Sequence, residues 1–520
     1  MKRILILAAA LLSAACAEAP QPEINVIPRP LSVEQGDGAF RLGRSCPIGY
    51  DDPALQSVAA LCAGYLTEEG ERKPVVADKP VHKGIDLQLD DTLAGEEYTL
   101  SATKKGVSIC GGSPRAVLYG VQTLRQLIDG DRVPVVEIRD EPYFGYRGAM
   151  FDVARYFYPV EEVKRFIDIM ALHKLNTFHW HLTDDQGWRI EIERYPELTR
   201  IGSQRRETLI GHYKTSDEYD GKPHGGYYTQ DEIREVVAYA AERCIDIIPE
   251  IELPGHSMAA LASYPWLGCT KGPYEVRTTW YYSSDVLCAG RETTFEFLEN
   301  VLTEVIGLFP SKYIHVGGDE CPKVRWKACP DCQRRMRREG LADEDALQSY
   351  FVCRIEEWLH AHGREMIGWD ELLEGGVTPS TIVMSWRGTE GGIEAAKLGN
   401  RVIMAPRFYF YLDYYQTSDP ERNGEPLSIG RNVPIRKLYG YDPFDRLDEA
   451  QSRNILGVQA NLWTEYISTM DHAEYMLLPR LAAMSEVAWA TERRDYDDFV
   501  RRLGSLRGLY DREGYRYADF

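Results

Sequence analysis

Residues 312–320 read Lys-Tyr-Ile-His-Val-Gly-Gly-Asp-Glu, and this stretch indicates how the whole chain is organised. The apolar residues before the glycines are typical of the end of a buried strand. The two glycines free the backbone to turn, so Asp319 and Glu320 can converge instead of pointing to opposite faces of a strand. Two adjacent acids at such a turn suggest general acid/base chemistry. Taken alone, however, Gly-Gly-Asp-Glu is more often a solvated turn.

Length and charge restrict the alternatives. With 520 residues, 44% of them hydrophobic, the chain is too long for one ordinary core, which predicts a large domain with a smaller companion. Its 60 Lys and Arg stand against 80 Asp and Glu, and the formal net charge is −20. Such a surface repels phosphate backbones and argues against nucleic acid as a partner.

The N-terminus resembles an export signal. Lys2 and Arg3 make residues 1–3 a basic region, and residues 4–12 form an apolar segment that is too short to span a membrane. Ser13-Ala-Ala-Cys16 resembles a bacterial lipobox, although Ser13 replaces the usual branched apolar residue, and cleavage just beyond Cys16 is the alternative. We therefore predict a lipoprotein-type signal peptide over 1–16, a tether over 17–23, and a protein exported to the periplasm, outer membrane or cell surface. A lipid on Cys16 would be its one link to a membrane.

Export would place the other ten cysteines in a compartment that permits disulfides. Cys269 and Cys288 bracket a loop rich in Tyr and Trp, and we expect a disulfide to close it. Cys321, Cys329 and Cys332 lie close together in sequence. A zinc site there would need a fourth ligand, and none is suitably spaced nearby, so a local disulfide or free thiols are expected.

Residues 24–142 predict a small α/β domain. Segments 98–101 and 107–110 indicate a hairpin. Ser113 is a good N-cap with Pro114 at the first helical position, and apolar residues lie on one face of a helix reaching about residue 128. The segment carries no obvious catalytic groups, so we interpret this domain as structural.

Residues 143–520 show a different pattern, in which short apolar runs alternate with predicted amphipathic helices. The helices are expected at 160–173, 231–243, 293–309, 347–362 and 472–489. The eight candidate strands are 148–153, 175–181, 245–251, 313–316, 365–368, 381–385, 401–404 and 456–460. Eight β/α alternations are typical of a TIM barrel, so the predicted fold class is α/β, a (β/α)8 barrel preceded by a small α/β domain.

The active site of a TIM barrel forms where the strands end. Polar and aromatic side chains collect at these ends here: Arg155, His179, His181, Asp184, Asp185, Glu250, Glu252, His256, Asp319, Glu320, Trp369, Asp370, Trp386, Tyr409, Tyr411, Asp413, Trp463 and Glu465. A single tryptophan is more often part of a core. Several at equivalent strand ends, with carboxylates among them, indicate a sugar pocket.

The His179-Trp-His181 spacing leaves a metal-dependent amidohydrolase as an alternative, because alternate residues on a strand share a face. No coherent set of further ligands accompanies the pair. We therefore expect one histidine to be packed and the other to bind a neighbouring acid.

Five ordered motifs carry a family resemblance. They are His179-Trp-His-Leu-Thr-Asp-Asp-Gln-Gly-Trp-Arg189, Pro249-Glu-Ile-Glu-Leu-Pro-Gly-His256, His315-Val-Gly-Gly-Asp-Glu320, Gly368-Trp-Asp-Glu371 and Leu462-Trp-Thr-Glu465. Together they closely resemble the β-N-acetylhexosaminidases of glycoside hydrolase family 20. The resemblance covers essentially the whole mature chain, including the small domain. Glu252 departs from it, since many relatives have Asp there.

The resemblance implies a role for each matching residue. Glu320 would be the general acid/base, and Asp319 would orient and polarise the 2-acetamido group of the substrate. Tyr411 would bind the acetamido carbonyl, and Trp369, Trp386 and Trp463 would enclose the acetamido methyl and the sugar face. Arg155, Asp413 and Glu465 would hold sugar hydroxyls, with Asp184 and His256 in support.

The implied reaction is retaining hydrolysis of a terminal β-linked N-acetylglucosamine or N-acetylgalactosamine, with the acetamido oxygen as nucleophile and with neither metal nor organic cofactor. The partners would be glycans ending in these sugars; chitin oligomers, mucins, N-glycans and glycosaminoglycans all qualify. No oligomeric state follows from the sequence. A catalytically silent lectin on the same scaffold is the other alternative.

Overall fold

The computed structural model describes residues 23–68 and 72–519. The predicted signal peptide and nearly all of the tether therefore lie outside the described residues. Within the described part, no helix is long and apolar enough to cross a membrane.

The N-terminal unit is a seven-stranded mixed sheet with two helices. The strand order is β1-β7-β5-β6-β4-β2-β3. The predicted hairpin is confirmed as β5 and β6, and the predicted helix as α2, whose N-cap Ser113 accepts a hydrogen bond from the N–H of Ala116. The elements are β1 (Ser32–Arg41), β2 (Pro47–Tyr50), α1 (Gln56–Glu68), β3 (Val75–Ala77), β4 (Ile85–Leu89), β5 (Tyr98–Thr103), β6 (Gly106–Gly111), α2 (Pro114–Leu127) and β7 (Arg132–Asp140).

Eight parallel strands close the predicted TIM barrel, in the order β14-β15-β16-β17-β18-β19-β8-β9. All eight predicted strands are confirmed, each within two residues at either end. They are β8 (Tyr146–Asp152), β9 (Thr177–His181), β14 (Asp246–Leu253), β15 (Tyr313–Gly317), β16 (Glu365–Trp369), β17 (Ile382–Ser385), β18 (Val402–Met404) and β19 (Ile455–Leu462). Two short hairpins follow β9, namely β10 (Thr183–Asp184) with β11 (Gly187–Trp188), and β12 (Gln204–Arg205) with β13 (His224–Gly225).

The helices around the barrel also follow the prediction, with one exception. The predicted helix over 472–489 is two helices, because Pro479 lacks an N–H and its ring does not fit the interior of a helix. The barrel helices are α3 (Val160–Leu172), α4 (Glu197–Arg200), α5 (Gln230–Glu242), α6 (Met258–Ser263), α7 (Glu292–Leu308), α8 (Val324–Ala328), α9 (Pro330–Glu339), α10 (Glu344–Ala361), α11 (Glu390–Leu398), α12 (Arg407–Phe410), α13 (Ile435–Tyr439), α14 (Glu449–Ser452), α15 (Met470–Leu477), α16 (Arg480–Trp489) and α17 (Tyr496–Glu513).

The small domain packs against the end of the barrel where the strands begin. Arg147, near the start of β8, donates a hydrogen bond to Glu96 at 3.0 Å, and Arg115 forms a 2.9 Å ion pair with Asp246 at the start of β14. The buried Lys174, just before β9, lies 3.1 Å from Asp140. These contacts leave the opposite end of the barrel, where the strands finish, open for a binding site.

The predicted disulfide between Cys269 and Cys288 is not present among the described residues. The ten cysteines of the described residues are all free thiols. Cys269 and Cys288 instead form one cluster with Cys329 and Cys332, whereas Cys321 lies outside it. Four cysteines therefore do come together in the structure. They are not the group of Cys321, Cys329 and Cys332 that lies close together in sequence.

Candidate active site

The two acids of the opening stretch stand at the end of β15, where the predicted turn is present. Gly317 and Gly318 both have positive φ, at 66° and 98°. Glu320 also has a positive φ of 41°, which is uncommon for a residue with a Cβ. The turn buries Asp319 and leaves the Glu320 side chain 38% exposed. One acid thus faces the protein interior, and the other faces the opening.

Gly317 is required for a second reason, which is the close approach of Glu252 from β14. A Cβ on Gly317 would lie 1.9 Å from Oε2 of Glu252, far inside contact distance. The carboxyl of Glu252 therefore reaches the turn that carries Asp319. Burial, together with the charges of Asp319 and Glu250, raises the pKa of Glu252 well above its usual range.

His256 lies between the two acids. Its Nε2 is 3.6 Å from Oδ2 of Asp319 and 3.5 Å from Oε2 of Glu320. On the other side of the ring, Nδ1 is hydrogen-bonded to Oδ1 of Asp184 at 3.1 Å. Burial alone would lower the pKa of His256, but the carboxylates of Asp184 and Asp319 outweigh it and raise this pKa well above 6.5. The two carboxylates therefore favour the protonated, positively charged form of the imidazole.

Asp184 in turn is held by cations. Arg155 contacts its Oδ2 at 2.9 Å, and Nε2 of His181 lies 3.0 Å from the same atom. Against the effect of burial, the positive charges of Arg155 and His256 hold the pKa of Asp184 well below its usual range. Asp184 is thus a fixed anion that orients both Arg155 and His256.

Asp319 has a different environment. Burial raises its pKa from 3.8 to about 7; His256 opposes this shift, while Glu320 and Glu250 add to it. Its Oδ1 is buried and has no hydrogen-bond partner within the described part of the chain. Buried acceptors in native proteins are nearly always satisfied, so this atom is a candidate to receive a donor from a bound molecule.

The His-x-His pair on β9 converges on one buried carboxylate, Glu250. Nε2 of His179 lies 3.0 Å from its Oε2, and Nδ1 of His315 lies 2.8 Å from its Oε1; His181 is hydrogen-bonded to Oε2 as well. The prediction that one histidine would be packed and the other bound to an acid is thus half right, since both contact the same acid. Glu250 also accepts a hydrogen bond from Nε1 of Trp369 at 2.9 Å, which fixes that indole.

Aromatic rings form the walls of the site. Trp463 lies 6.0 Å from Trp369 and 6.2 Å from Tyr411 between ring centroids, and Trp386 stacks on Tyr411 at 6.0 Å with an interplanar angle of 13°. Arg155 covers Trp463, with its guanidinium carbon 4.8 Å from the ring centroid. The rings surround a cavity of about 270 Å3 above Asp319.

Two further acids point into this cavity. Both carboxylate oxygens of Asp413 are buried without a hydrogen-bond partner among the residues described. Burial, with the Glu465 charge in addition, raises the pKa of Asp413 well above its usual range. Burial also raises the pKa of Glu465 to about 6, partly offset by Arg155. These acids are poised to accept hydrogen bonds from a polar ligand.

The structure brings the predicted site residues together. All of them except Asp184 line the one cavity, and Asp184 lies behind it in contact with Arg155 and His256. Sequence reasoning missed the other lining residues, namely Tyr213, Lys214, Arg407, Tyr414, Ile429, Gly430 and Arg431. Arg407, three residues after β18, and Tyr414, next to Asp413, follow the same strand and could have been found by the strand-end rule; the others lie on loops that carry no such signal. Tyr409, which that rule did select, packs on Tyr441 at 4.8 Å instead.

Two family models match the chain. The model of the family described as glycosyl hydrolase family 20, catalytic domain, matches residues 144–492, and that of glycosyl hydrolase family 20, domain 2, matches residues 23–141. A curated β-hexosaminidase of Porphyromonas gingivalis is 44% identical over 512 residues, which are 95% of this chain and 64% of that protein. This chain thus spans slightly less than two thirds of that relative.

Solved structures resemble the chain over nearly its full length. An exo-β-N-acetylglucosaminidase of Vibrio harveyi in complex with N-acetylglucosamine is 34% identical, with a TM-score of 0.86 over 96% of this chain and 79% of that one. An N-acetyl-β-hexosaminidase of Streptomyces plicatus in complex with Thio-NAglucal is 32% identical, with a TM-score of 0.83 over 96% and 97% of the two chains.

Proposed function

The chain belongs to glycosyl hydrolase family 20, and on that basis we propose that it is an exo-acting β-N-acetylhexosaminidase. It removes a terminal, non-reducing N-acetylglucosamine or N-acetylgalactosamine from a glycan, with retention at the anomeric carbon. The observation that carries the proposal is the buried Asp319, whose Oδ1 lacks a partner in the described structure, beside Glu320 beneath a cavity walled by tryptophans. The site offers a carboxylate that can accept a hydrogen bond from an acetamido N–H, and a second carboxyl group that can give its proton to a leaving oxygen.

The size of the cavity supports action at a chain end. At about 270 Å3 it is smaller than the roughly 300–1,000 Å3 of pockets that hold drug-sized ligands. One sugar ring with its acetamido group is a suitable occupant, and the remaining glycan would extend through the opening past Glu320. The sugar hydroxyls would donate to Asp413 and Glu465 and accept from Arg155, which satisfies the unpaired oxygens of Asp413.

The acetamido group would be held by the aromatic wall. Trp369, Trp386 and Trp463 would enclose its methyl, and the hydroxyl of Tyr411 would donate to its carbonyl oxygen. This places the carbonyl oxygen beneath the anomeric carbon while the N–H points to Asp319. Such confinement increases the rate, because a misplacement of the reacting atoms by about 1 Å can lower the rate on the order of 100-fold.

In the first step the carbonyl oxygen of the acetamido group attacks the anomeric carbon. The bond to the leaving oxygen breaks, and Glu320 gives that oxygen its proton. The ring that forms is an oxazolinium with positive charge on nitrogen, and the carboxylate of Asp319 accepts a hydrogen bond from its N–H and stabilises this charge. Family 20 is a recognised exception to the scheme in which a protein carboxylate is the nucleophile.

In the second step water attacks the same carbon from the side that the leaving group vacated. Glu320, now a carboxylate, takes a proton from the water, and the bond from the anomeric carbon to the acetamido oxygen breaks. The acetamide and the protonated Glu320 are restored. Two inversions at one carbon give net retention. The positively charged His256, about equally distant from both acids, favours the ionised form of Asp319 throughout.

The experiment that tests this proposal compares two isosteric variants. Glu320→Gln should lose most activity with poor leaving groups and recover much of the first step with an activated aryl N-acetylglucosaminide, which needs little protonation. Asp319→Asn should be damaging with both kinds of substrate, because the charge on nitrogen develops whatever leaves. A thiazoline mimic of the intermediate should bind wild type tightly and Asp319→Asn much more weakly.

Two results would count against this assignment. Identical responses of the two variants to leaving-group pKa would show that Asp319 and Glu320 do not divide the roles as described. A wild-type protein that binds N-acetylglucosaminides but releases no p-nitrophenol from the aryl substrate would favour the lectin alternative. A panel of defined glycans then identifies the preferred linkage and the choice between the gluco and galacto configurations.

We further propose that the protein is exported and carries a lipid on Cys16. This rests on the lipobox-like Ser13-Ala-Ala-Cys16 behind a basic and then apolar segment. Labelled palmitate should be incorporated into the wild-type chain and not into Cys16→Ala. Labelling of neither chain, with cleavage after Ala17 or Ala19, would support an ordinary signal peptide.

A further inference from the structure

Four cysteines from two separate segments meet beside the active-site turn. Cys269 and Cys288 lie in the loop between a short 3-10 helix over residues 265–267 and α7, while Cys329 and Cys332 lie at the start of α9. The Sγ atoms of Cys288 and Cys332 are 3.7 Å apart, those of Cys288 and Cys329 are 3.8 Å apart, and those of Cys269 and Cys332 are also 3.8 Å apart. All four sulfurs lie within 4.8 Å of one another.

These separations match a tetrahedral metal site. Zinc–thiolate bonds of about 2.3 Å place the sulfurs of a regular tetrahedron about 3.8 Å apart. A disulfide needs its two sulfurs at about 2.05 Å, with one partner clearly nearest. Here Cys288 is almost equally distant from Cys329 and Cys332, so the arrangement favours no single pair. Four sulfurs around one point are the ligand set that zinc prefers in closed structural sites.

The surrounding chain is shaped to hold the sulfurs in place. Cys329-Pro-Asp-Cys332 has the two-residue spacing typical of zinc ligands, and Cys329 caps the N-terminus of the ten-residue helix α9. Gly290 lies against the backbone of α9, where a Cβ would be 2.3 Å from the N of Cys332. The absence of a side chain at residue 290 thus lets the two segments approach.

Arg291 fixes the relative position of the same two segments. Its guanidinium donates to the carbonyl of Gly268 at 3.0 Å and to that of Cys269 at 3.3 Å, and Nε donates to Asp331 at 2.8 Å. A positive charge is therefore fixed next to the cluster. Four thiolates around Zn2+ carry a net charge of −2, which this cation partly balances.

We propose that Cys269, Cys288, Cys329 and Cys332 form a structural Zn2+ site. Binding takes the four thiols to thiolates with release of their protons, forms four Zn–S bonds and involves no change of oxidation state. The four positions of the ion are filled by protein, so the site is closed and plays no part in the hydrolysis. It would exist whether or not the proposed glycosidase function is correct.

The position of the site gives it a consequence for the active site. The loop of residues 270–287 is tied to the active site, because the N–H of Ser283 donates to Asp185 at 3.0 Å. Arg325 on α8, which follows the Asp319–Glu320 turn, pairs with Asp285 of this loop at 2.7 Å. The metal would join the segment that carries the loop to the segment that follows the catalytic acids, and so hold both in register.

The test begins with the metal content of the full-length protein purified without chelator or reductant. Elemental analysis should find one zinc per chain in wild type and in the control Cys353→Ser, whose thiol lies on α10 outside the cluster. Cys269→Ser and the double variant Cys329→Ser/Cys332→Ser should retain less than half of it. After replacement of zinc by Co2+, wild type and Cys353→Ser should show the visible spectrum of a tetrahedral tetrathiolate, which both cluster variants should lack.

A second measurement does not depend on the variants folding. Removing zinc from wild type with a strong chelator should lower its melting temperature by about 5 °C or more, and one equivalent of Zn2+ should restore it. Alkylation should modify these four thiols only after the metal is removed. The proposal is overturned by zinc at well below one equivalent with disulfides among these cysteines, by iron in place of zinc, or by undiminished zinc in Cys269→Ser.

Discussion

Replacing Asp319 by Asn should make the protein more stable while it removes activity, and the gain in stability should depend on pH. Asp319 is buried, and its pKa is raised from 3.8 to about 7, first by burial and then by Glu320 and Glu250. A shift of about 3 units, at ~1.36 kcal/mol per unit, corresponds to roughly 4 kcal/mol of unfolding free energy lost when the group is ionised. Asn has the same shape and no charge.

The sign follows from the direction of the shift. The folded protein holds the Asp319 proton more tightly than the unfolded chain does. The loss of unfolding free energy is therefore zero below about pH 3.8, grows as the pH rises and is complete above about pH 7. Asp319→Asn should therefore exceed wild type by up to about 4 kcal/mol at pH 8 and by much less at pH 5. With ~2 cal/mol/K of unfolding entropy per residue over roughly 370 barrel residues, this is a melting temperature about 5 °C higher at pH 8.

Chemical and thermal unfolding of both proteins at pH 5 and pH 8 measure this difference. The matched control is Asp91→Asn, the same change at an exposed position in the loop between β4 and β5, which should leave stability within about 0.5 kcal/mol at both values. Equal stability of wild type and Asp319→Asn at pH 8, or a gain that is the same at both pH values, would refute the reasoning. It would show that Asp319 carries no burial cost.

Three other outcomes are expected. On the acidic side of the pH profile of kcat/KM, the midpoint should lie well above pH 3.8, toward about 7. It should move to higher pH in His256→Gln, because His256 lowers the pKa of Asp319. A wild-type midpoint near pH 3.8 would contradict this. Trp463→Ala should lower kcat on the order of 100-fold through misplacement of the acetamido group, whereas a raised KM with unchanged kcat would indicate a binding role alone. Gly317→Ala should destabilise the protein by at least ~1 kcal/mol. Adding Glu252→Asp should recover part of the lost stability, because it shortens the side chain that meets the new Cβ. Unchanged stability of Gly317→Ala would show that the turn relaxes.

The barrel could be predicted from the sequence because its signals are local. Each strand is a short apolar run, and the polar and aromatic groups of the site lie at the end of a strand or in the segment that follows it, as Asp319 follows β15 and Trp463 follows β19. The TIM-barrel rule then turns eight local patterns into one common site. Pro479 also indicates the break between α15 and α16, but the apolar periodicity continues across it and predicts a single helix.

The remaining features depend on distance in space. Tyr213 and Lys214 reach the cavity from a long loop, and no periodicity specifies where such a loop folds back. The cysteine cluster joins residues separated by 63 positions, from Cys269 to Cys332. Spacing along the chain suggested Cys321 as the neighbour of Cys329 and Cys332, but the turn after β15 directs Cys321 toward Gly255 instead, where its Cα lies close to the glycine.

The polar groups of the site fall into two kinds, and the distinction separates positioning from binding. Asp184 and Glu250 have their hydrogen-bonding capacity filled by Arg155, histidines and an indole, so they fix geometry and also stabilise the fold. Asp319 and Asp413 keep oxygens that nothing in the described structure satisfies, and burial raises the pKa of both. A protein can retain such unsatisfied buried carboxylates where a bound ligand supplies the missing hydrogen bonds, even though they lower its stability. Loss of a carboxylate of the first kind should therefore reduce stability and activity together, whereas loss of one of the second kind should reduce activity and increase stability.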